Sequence, residues 1–394
     1  VANTLLNVDK ITNAALAILH QKLNFVGSIN RTYDSSFAVE GAKIGSTLRI
    51  RLPNKFTTTT GQALNLQDVQ ETNTTLTVAT QRGVHTVFNS QQLALNIFDF
   101  SQQVLEPAMA QLAASIEADS MSMLTSVYNT VNGSGSAQTL RNVLGGRKIL
   151  RDNLAPAAET YMARIDTQSN VDLVDSLKGL FQSSQQIKRQ YEEGVMGMTG
   201  GFEFAENTLL PSFTFGARNA AYLTNAAVAQ TGSSLIVDTG ANAAAAGDVF
   251  TIAGVFRVHP ETKVSTGILQ QFVVTAAYAG GAGTISIAPA ITATGPYQNV
   301  SNGAADNQAI TFVGTASATT QQSVVYHKDA FAFATADLPL PDGVHFAGRK
   351  VQEGISMRVV RAYDINNDQF PCRIEVLYGY RAIRPEIACR ILSN

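Results

Sequence analysis

The sequence predicts an α+β chain whose mixed body of helices and strands carries an inserted antiparallel β-barrel or sandwich. Three observations predict it: a long apolar helical stripe over Phe100–Val131, period-two alternation near both ends, and a composition break over Thr224–Thr320. That 97-residue break holds six charged side chains, against 52 in the other 297 residues. The 394-residue chain is long enough to bury two or three cores. Its 28 basic and 30 acidic side chains nearly cancel, which excludes strong electrostatic attraction to nucleic acid or an acidic membrane. Charged residues are only 15% of the chain, against about one quarter in ordinary soluble domains, so Thr, Ser, Asn, Gln and Gly supply the polarity.

Taken in order, Ile11, Ala15, Ile18, Leu19 and Leu23 fall on one face of a short amphipathic helix, Val8–Leu23. It docks on its own domain or serves as an arm packing on a neighbour. Leu48, Ile50 and Leu52 alternate with Arg49 and Arg51 in a strand over Ser46–Pro53, and a second β run covers Thr74–Phe88. The polar, Thr-rich span Asn54–Asn73 between them reads as a long two-stranded loop reaching away from the body, and loops of that length usually bind something. In the stripe, Phe100, Val104, Met109, Leu112, Ile116, Met123 and Val127 lie on one face, giving a strut of about 45 Å that Pro107 either starts or kinks. A helix over Arg141–Leu154, a strand over Thr160–Ile165 and a second helix opened by a Ser169–Asp172 capping box follow. Phe202–Phe215 reads as strand with turns.

Inside the low-charge region, β runs recur at Leu235–Val237, Val249–Ile252, Phe272–Val274, Thr284–Ile287 and Ile310–Val313. Two alternating strands, Ile355–Tyr363 and Cys372–Tyr378, form a hairpin that ends the main fold.

Enzyme signatures are missing. There is no phosphate-cradling GxxxxGK[ST], no HExxH and no GxSxG elbow, and Gly281-Ala282-Gly283 lies between β runs as a turn. His20, His85, His259, His327 and His345 are scattered singly, without ligand spacing to a carboxylate or thiol. Cys372 and Cys389 form no CxxC, so neither a disulfide framework nor structural zinc is expected, and no cofactor is assigned. With no leader-like start and no apolar run of membrane-span length, the expected setting is a reducing, soluble compartment without membrane contact. Arg49, Arg51 and Lys55 lack stacking aromatics for nucleic acid, and pairing with acidic residues of another subunit is at least as good a reading. A projecting loop, a strut, a terminal arm and an inserted β domain without a chemical site describe an assembling subunit.

The run Cys372-Arg-Ile-Glu-Val-Leu-Tyr378-Gly379-Tyr380-Arg-Ala382-Ile-Arg384-Pro385-Glu386 resembles the carboxy-terminal signature of major coat proteins of short-tailed lambdoid phages. Gly247-Asp248, then Ala253-Gly254-Val255, is similar to a run in that family's inserted domain, and Tyr191-Glu192-Glu193-Gly194 through Gly201-Phe202 to a further stretch. The resemblance implies the Hong Kong ninety-seven fold of tailed-phage capsids. Its parts would be an amino-terminal arm (1–45), an extended β loop (46–88), and a spine helix with peripheral domain (89–133). An axial domain (134–223), the inserted β domain (224–330), and the rest of the axial domain with carboxy-terminal peripheral strands (331–394) would follow.

It further implies pentamers and hexamers closing into an icosahedral shell around double-stranded DNA held without sequence specificity, assembled in the host bacterial cytoplasm. A scaffolding protein, a portal protein at one vertex and a decoration protein would be partners. Interface candidates are Arg49, Arg51, Lys55, Glu71 and Asp364, the arm residues Ile11, Ile18 and Leu19, and the tip residues Glu261 and Lys263. Truncating the terminal helix is expected to impair assembly more than folding. Some more distant relatives weld subunits through a Lys to Asn isopeptide bond, but no carboxylate can be assigned to assist Lys55. An encapsulin-like nanocompartment keeps the fold and changes the cargo. A carbohydrate-binding or carbohydrate-cleaving β protein is the different-class alternative, and the absence of Trp and the scarcity of acids in the β region count against it.

Overall fold

A computed structural model describes residues 23–32, 46–58, 61, 66–69, 71–89, 106–177, 197–219, 221–352 and 355–394. The arm candidates Ile11, Ile18 and Leu19 and the stretch from Tyr191 to Gly194 lie outside these residues. The chain divides into two compact units: Val1–Ile50, Asn73–Met121 and Phe331–Arg381 make the first, and Arg51–Thr72, Ser122–Ala330 and Ala382–Asn394 the second.

In the first unit the helix runs Glu106–Met121, with Pro107 in its first described turn. It buries Met109, Leu112, Ile116 and Met121. It ends sooner than the expected strut, giving way to a 3-10 turn over Ser122–Ser126; Phe100 and Val104 lie outside the described residues. The reason is local. Ser120 Oγ donates back to Ile116 O at 2.7 Å and Thr125 Oγ1 to Ser122 O at 2.8 Å, bonds that compete with helical geometry. A short helix, Phe25–Ser28, is held by the buried carboxylate of Glu117, which accepts from Phe25 N at 2.7 Å and Val26 N at 3.3 Å.

The unit's sheet runs in the order Phe331–Ala336, Gln369–Ala382, Ile355–Arg361, Phe346–Gln352, and Thr80–Asn89 also pairs with the long strand. Ser46–Arg51 pairs separately with Asn73–Val78. Gly379 of the Tyr-Gly-Tyr run has a steric purpose: a Cβ there would lie 2.1 Å from Thr77 O.

The second unit is built on a seven-stranded mixed sheet ordered Thr130–Asn132, Ala388–Ser393, Thr319–Tyr326, Tyr161–Ile165, Phe202–Glu206, Met198–Thr199, with Phe213–Thr214 alongside Thr319 and Thr320. The hairpin therefore does not end the fold, because all six residues of Ala388–Ser393 are buried in this sheet. Helices Leu140–Asp152 and Thr167–Leu177 follow the expected order. The cap of the second is Asp166 rather than Ser169: its Oδ2 accepts from Ser169 N at 3.1 Å, while its Oδ1 takes the Ser323 hydroxyl at 3.1 Å.

The five β runs of the low-charge region are all strands, four of them longer than expected and the last, Ile310–Phe312, one residue shorter. They form an antiparallel sheet ordered Ile310–Phe312, Val249–Val258, Ser265–Val274, Gly283–Ile291, Gly232–Val237. The segment 222–225 joins the two edges: Thr224 N donates to Gln308 O and Asn225 N to Ile236 O, both at 3.0 Å. Closure removes the free edges that would template aggregation. Inside lie Tyr222, Leu235, Phe250, Ile252, Phe272, Ile285 and Ile310.

Three carboxylates tie elements within their own units. Arg82 clamps Asp119 through Nε at 2.9 Å and Nη2 at 3.0 Å, joined by the Tyr378 hydroxyl. Glu375 sits between Arg358 and Arg373, and Asp152 between Lys148 at 2.9 Å and Arg257 at 2.8 Å. Burial pushes each carboxyl up, but the donors outweigh it and hold all three below the ordinary range. Depressed folded values give stability that is present above about pH 4 and lost as pH falls through them. Asp248, pushed up by burial, works in the opposite sense. Urea midpoints should stay level from about pH 7 to about pH 5 and drop by about pH 3. A midpoint that rises on acidification would show that Asp248 dominates.

Candidate functional site

The loop between Arg51 and Thr72 is a tied structure. Leu52 N donates to Thr72 O at 2.9 Å, and Arg51 Nε lies 3.6 Å from Glu71. Further out, Gln67 copies a backbone partner: its Oε1 accepts from Thr57 N at 2.9 Å, and its Nε2 donates to Thr57 O. Two interface candidates, Arg51 and Glu71, are thus partners within the chain. Both are well exposed, so the pair itself adds little stability. Arg49 is exposed on its strand. The loop also does not stand clear of its unit, since Lys55 Nζ lies 5.9 Å from the centroid of the Tyr297 ring.

Glu261 and Lys263 occupy the turn between Val249–Val258 and Ser265–Val274. His259 organises it, its Nδ1 accepting from Glu261 N and Thr262 N at 3.3 Å. Lys263 has φ 59°, in the left-handed region, and its Nζ donates to Pro260 O at 2.7 Å. Asp364 opens the tip between Ile355–Arg361 and Gln369–Ala382, accepting from Asn366 N at 3.0 Å and Asn367 Nδ2 at 2.7 Å. The structure places Lys55 over Tyr297 and Lys263 on the carbonyl of the adjoining Gln298, and leaves the other candidates on separate segments.

Sequence reasoning missed the buried charges of the second unit. Asp248 and Arg218 are almost wholly buried and 3.3 Å apart. Asp248 Oδ2 also accepts from Ala245 N at 2.8 Å and Gly216 N at 3.2 Å. The Arg218 guanidinium lies between the rings of Phe215 and Phe312, at 4.8 and 5.0 Å, and donates to Gly216 O and Val313 O. Arg390 stacks 5.3 Å from Phe213 and donates to Gly247 O at 2.7 Å; burial pushes its guanidinium down to about 10. Gly247 has φ 95°, and a Cβ on it would meet the Phe213 ring at 2.8 Å. The Gly247-Asp248 run was visible in the sequence, but its cationic partner 30 positions away was not.

A second joint lies close by. Gln271 Oε1 accepts from Thr130 N at 2.8 Å and its Nε2 donates to Thr130 O at 2.9 Å, so a barrel side chain fills the free edge of strand Thr130–Asn132 as a backbone would. The Arg384-Pro385-Glu386 turn is held by Asn129 and Asn153, whose side chains donate to Glu386 O at 3.0 and 2.9 Å. Among the described residues no three of His, Cys, Asp and Glu gather as a metal-holding group, and no helix is long and apolar enough to cross a membrane.

A family profile described as P22 coat protein, gene protein 5, matches residues 29–392, and the chain belongs to the P22 coat protein family. It is a structural subunit of a phage shell and not an enzyme, it assembles with copies of itself, and its place is the virion capsid. A comparison with curated protein sequences finds no significant match. Among solved structures, that of Mycobacterium phage Che8 is 10% identical, with a TM-score of 0.49, 94% of this chain and 90% of that one being covered. The capsid of Ralstonia phage GP4 is 7% identical, with a TM-score of 0.46 and coverage of 91% and 86%. The mature capsid of bacteriophage PhiM1 is 14% identical, with a TM-score of 0.42 and coverage of 88% and 82%.

Proposed function

We propose that this chain is the major capsid protein of a tailed bacteriophage with the Hong Kong ninety-seven fold, forming pentamers and hexamers that close into an icosahedral shell around double-stranded DNA. The observation that carries the reading is the coat-family match over residues 29–392. In this reading residues 1–45 are the arm, 46–88 the extended loop, and 89–133 the spine helix and peripheral domain. Residues 134–223 and 331–394 make the axial domain and carboxy-terminal peripheral strands, and 224–330 the inserted β domain. The closed barrel, with its own apolar core, supports a separate inserted module.

A thin shell needs contact area that one compact body does not supply, and a tied loop can add it. The near-neutral charge suits packaging of DNA without sequence reading. A scaffolding protein during assembly, a portal at one vertex and a decoration protein are the other partners, and the bacterial cytoplasm is the place of assembly. Negative-stain electron microscopy of sedimenting particles from cells expressing the chain, with and without the virion's candidate scaffold, tests the reading. Uniform closed icosahedra containing scaffold or DNA are expected. Particles filled with a single host enzyme would point instead to a nanocompartment, and a soluble monomer under both conditions would overturn the capsid reading.

A further inference from the structure

Two lysines are placed at neighbouring residues at the foot of the loop, Lys55 over the Tyr297 ring and Lys263 on the carbonyl of Gln298, the next residue. Lys263 is fixed from behind, its Nζ donating to Pro260 O at 2.7 Å and Gln298 O at 3.3 Å. Lys55 arrives from the loop's near leg, its Nζ over the Tyr297 ring. Burial, and then the charge of Lys55, push the Lys263 ammonium below its ordinary value. Among the described residues neither lysine makes an ion pair, and Glu261 beside them makes none either. Like charges brought together from segments about two hundred positions apart repel each other until an anion joins them. Phe56 and Val264, next in sequence to the two lysines, are 57% and 66% exposed, so exposed apolar side chains flank each lysine along the chain.

A surface of the opposite kind stands on the tip 363–368. Asp364 is kept ionised there by neutral donors, first the Asn367 side chain and then Asn366 N. Asp368, with φ 47°, accepts from the Tyr363 hydroxyl at 3.2 Å. Between the two carboxylates Ile365 is 79% exposed. One surface thus pairs two cations with apolar side chains, and the other pairs two carboxylates with one.

We infer that the Lys55–Lys263 pair is the seat for the Asp364 tip of a second copy of this chain, the carboxylate between the ammoniums and Ile365 against Phe56 and Val264. The inference rests on the capsid reading, which supplies the second copy. A phosphate would satisfy the lysines but not the apolar neighbours, and it would leave Ile365 in water.

The test is a charge swap in the full-length chain, read as the yield of closed particles by sedimentation and electron microscopy. The wild type is run beside each variant, and circular dichroism and thermal melts check the fold. Lys263→Glu should lower particle yield by about tenfold or more, because it sets like charges face to face in every copy. Asp364→Lys should do the same. The combined Lys263→Glu/Asp364→Lys chain should recover to within about threefold of wild type, since the pair is restored with its signs exchanged. Lys55→Glu with Asp364→Lys gives an independent second cycle should Lys263→Glu fail to fold. No recovery in either folded double variant, or normal shells from Asp364→Lys alone, would overturn the inference. So would normal empty shells from Lys263→Glu that fail only to retain DNA, which would assign the lysines to phosphate. Absence of particles from the wild type would instead sink the capsid reading itself.

Discussion

Replacing residues 54–70 with a short Gly/Ser turn should leave a folded, soluble chain that forms no closed shells. The replacement spares the base of the loop, where Leu52 N meets Thr72 O and Arg51 meets Glu71, so the strands Ser46–Arg51 and Asn73–Val78 keep their register. Among the described residues of the segment removed, the large apolar side chains Phe56, Leu66 and Val69 are all largely exposed. Loop shortening of this kind changes closure entropy by only about 1 kcal/mol, so the thermal midpoint should move little while assembly is lost. Sedimentation velocity and electron microscopy on the same preparation separate the two effects. Shells of normal size and yield would mean that the loop is not a fastening.

Asp248→Ala should cost about 3–5 kcal/mol, the largest loss expected from any single substitution in the second unit. Removing the carboxylate strands Arg218, which sits between two rings with its charge intact, and leaves Ala245 N and Gly216 N without their acceptor. Burial opposes the charge on both members, pushing Asp248 up and Arg218 down, so each is tolerated only with the other. Asp248→Asn keeps an acceptor for the two amides and should lose less. Urea unfolding gives the order Ala worse than Asn; equal losses would show that the charge, rather than the amide bonds, holds the joint.

The barrel was legible because each of its strands is a short β-branched run between glycines, asparagines and prolines, and alternation inside a closed sheet repeats in the sequence. Other parts obeyed rules that leave no local trace. Ala388–Ser393 is buried on both faces, so it shows no alternation, and Arg390 reads as surface although it lies under Phe213. The long helix was drawn past its end because apolar spacing continues through Met123 and Val127, whereas the hydroxyls of Ser120 and Thr125 stop it. The candidate interface residues were visible as charges on loops. Their pairing was not: Arg51 finds Glu71 across a turn, and Lys55 finds Lys263 only through the fold. The residues that carried the family resemblance are explained by packing, from Gly379 against Thr77 to the Glu386 carbonyl held by two asparagines.

The position of Ala388–Ser393 sets a timetable for synthesis. That strand lies between Thr130–Asn132 and Thr319–Tyr326, both made earlier, and bonds to each. A ribosome that has released residues 122–330 has supplied the barrel in full, yet the neighbouring sheet still lacks the strand next to its Thr130–Asn132 edge. That strand is supplied only after residues 331–387 have been translated, and those belong largely to the other unit. Until Ala388–Ser393 is made, the barrel's strands are all present while Thr130–Asn132 and Thr319–Tyr326 lack the strand that pairs with both, so this sheet depends on the last contacts of high sequence separation to form.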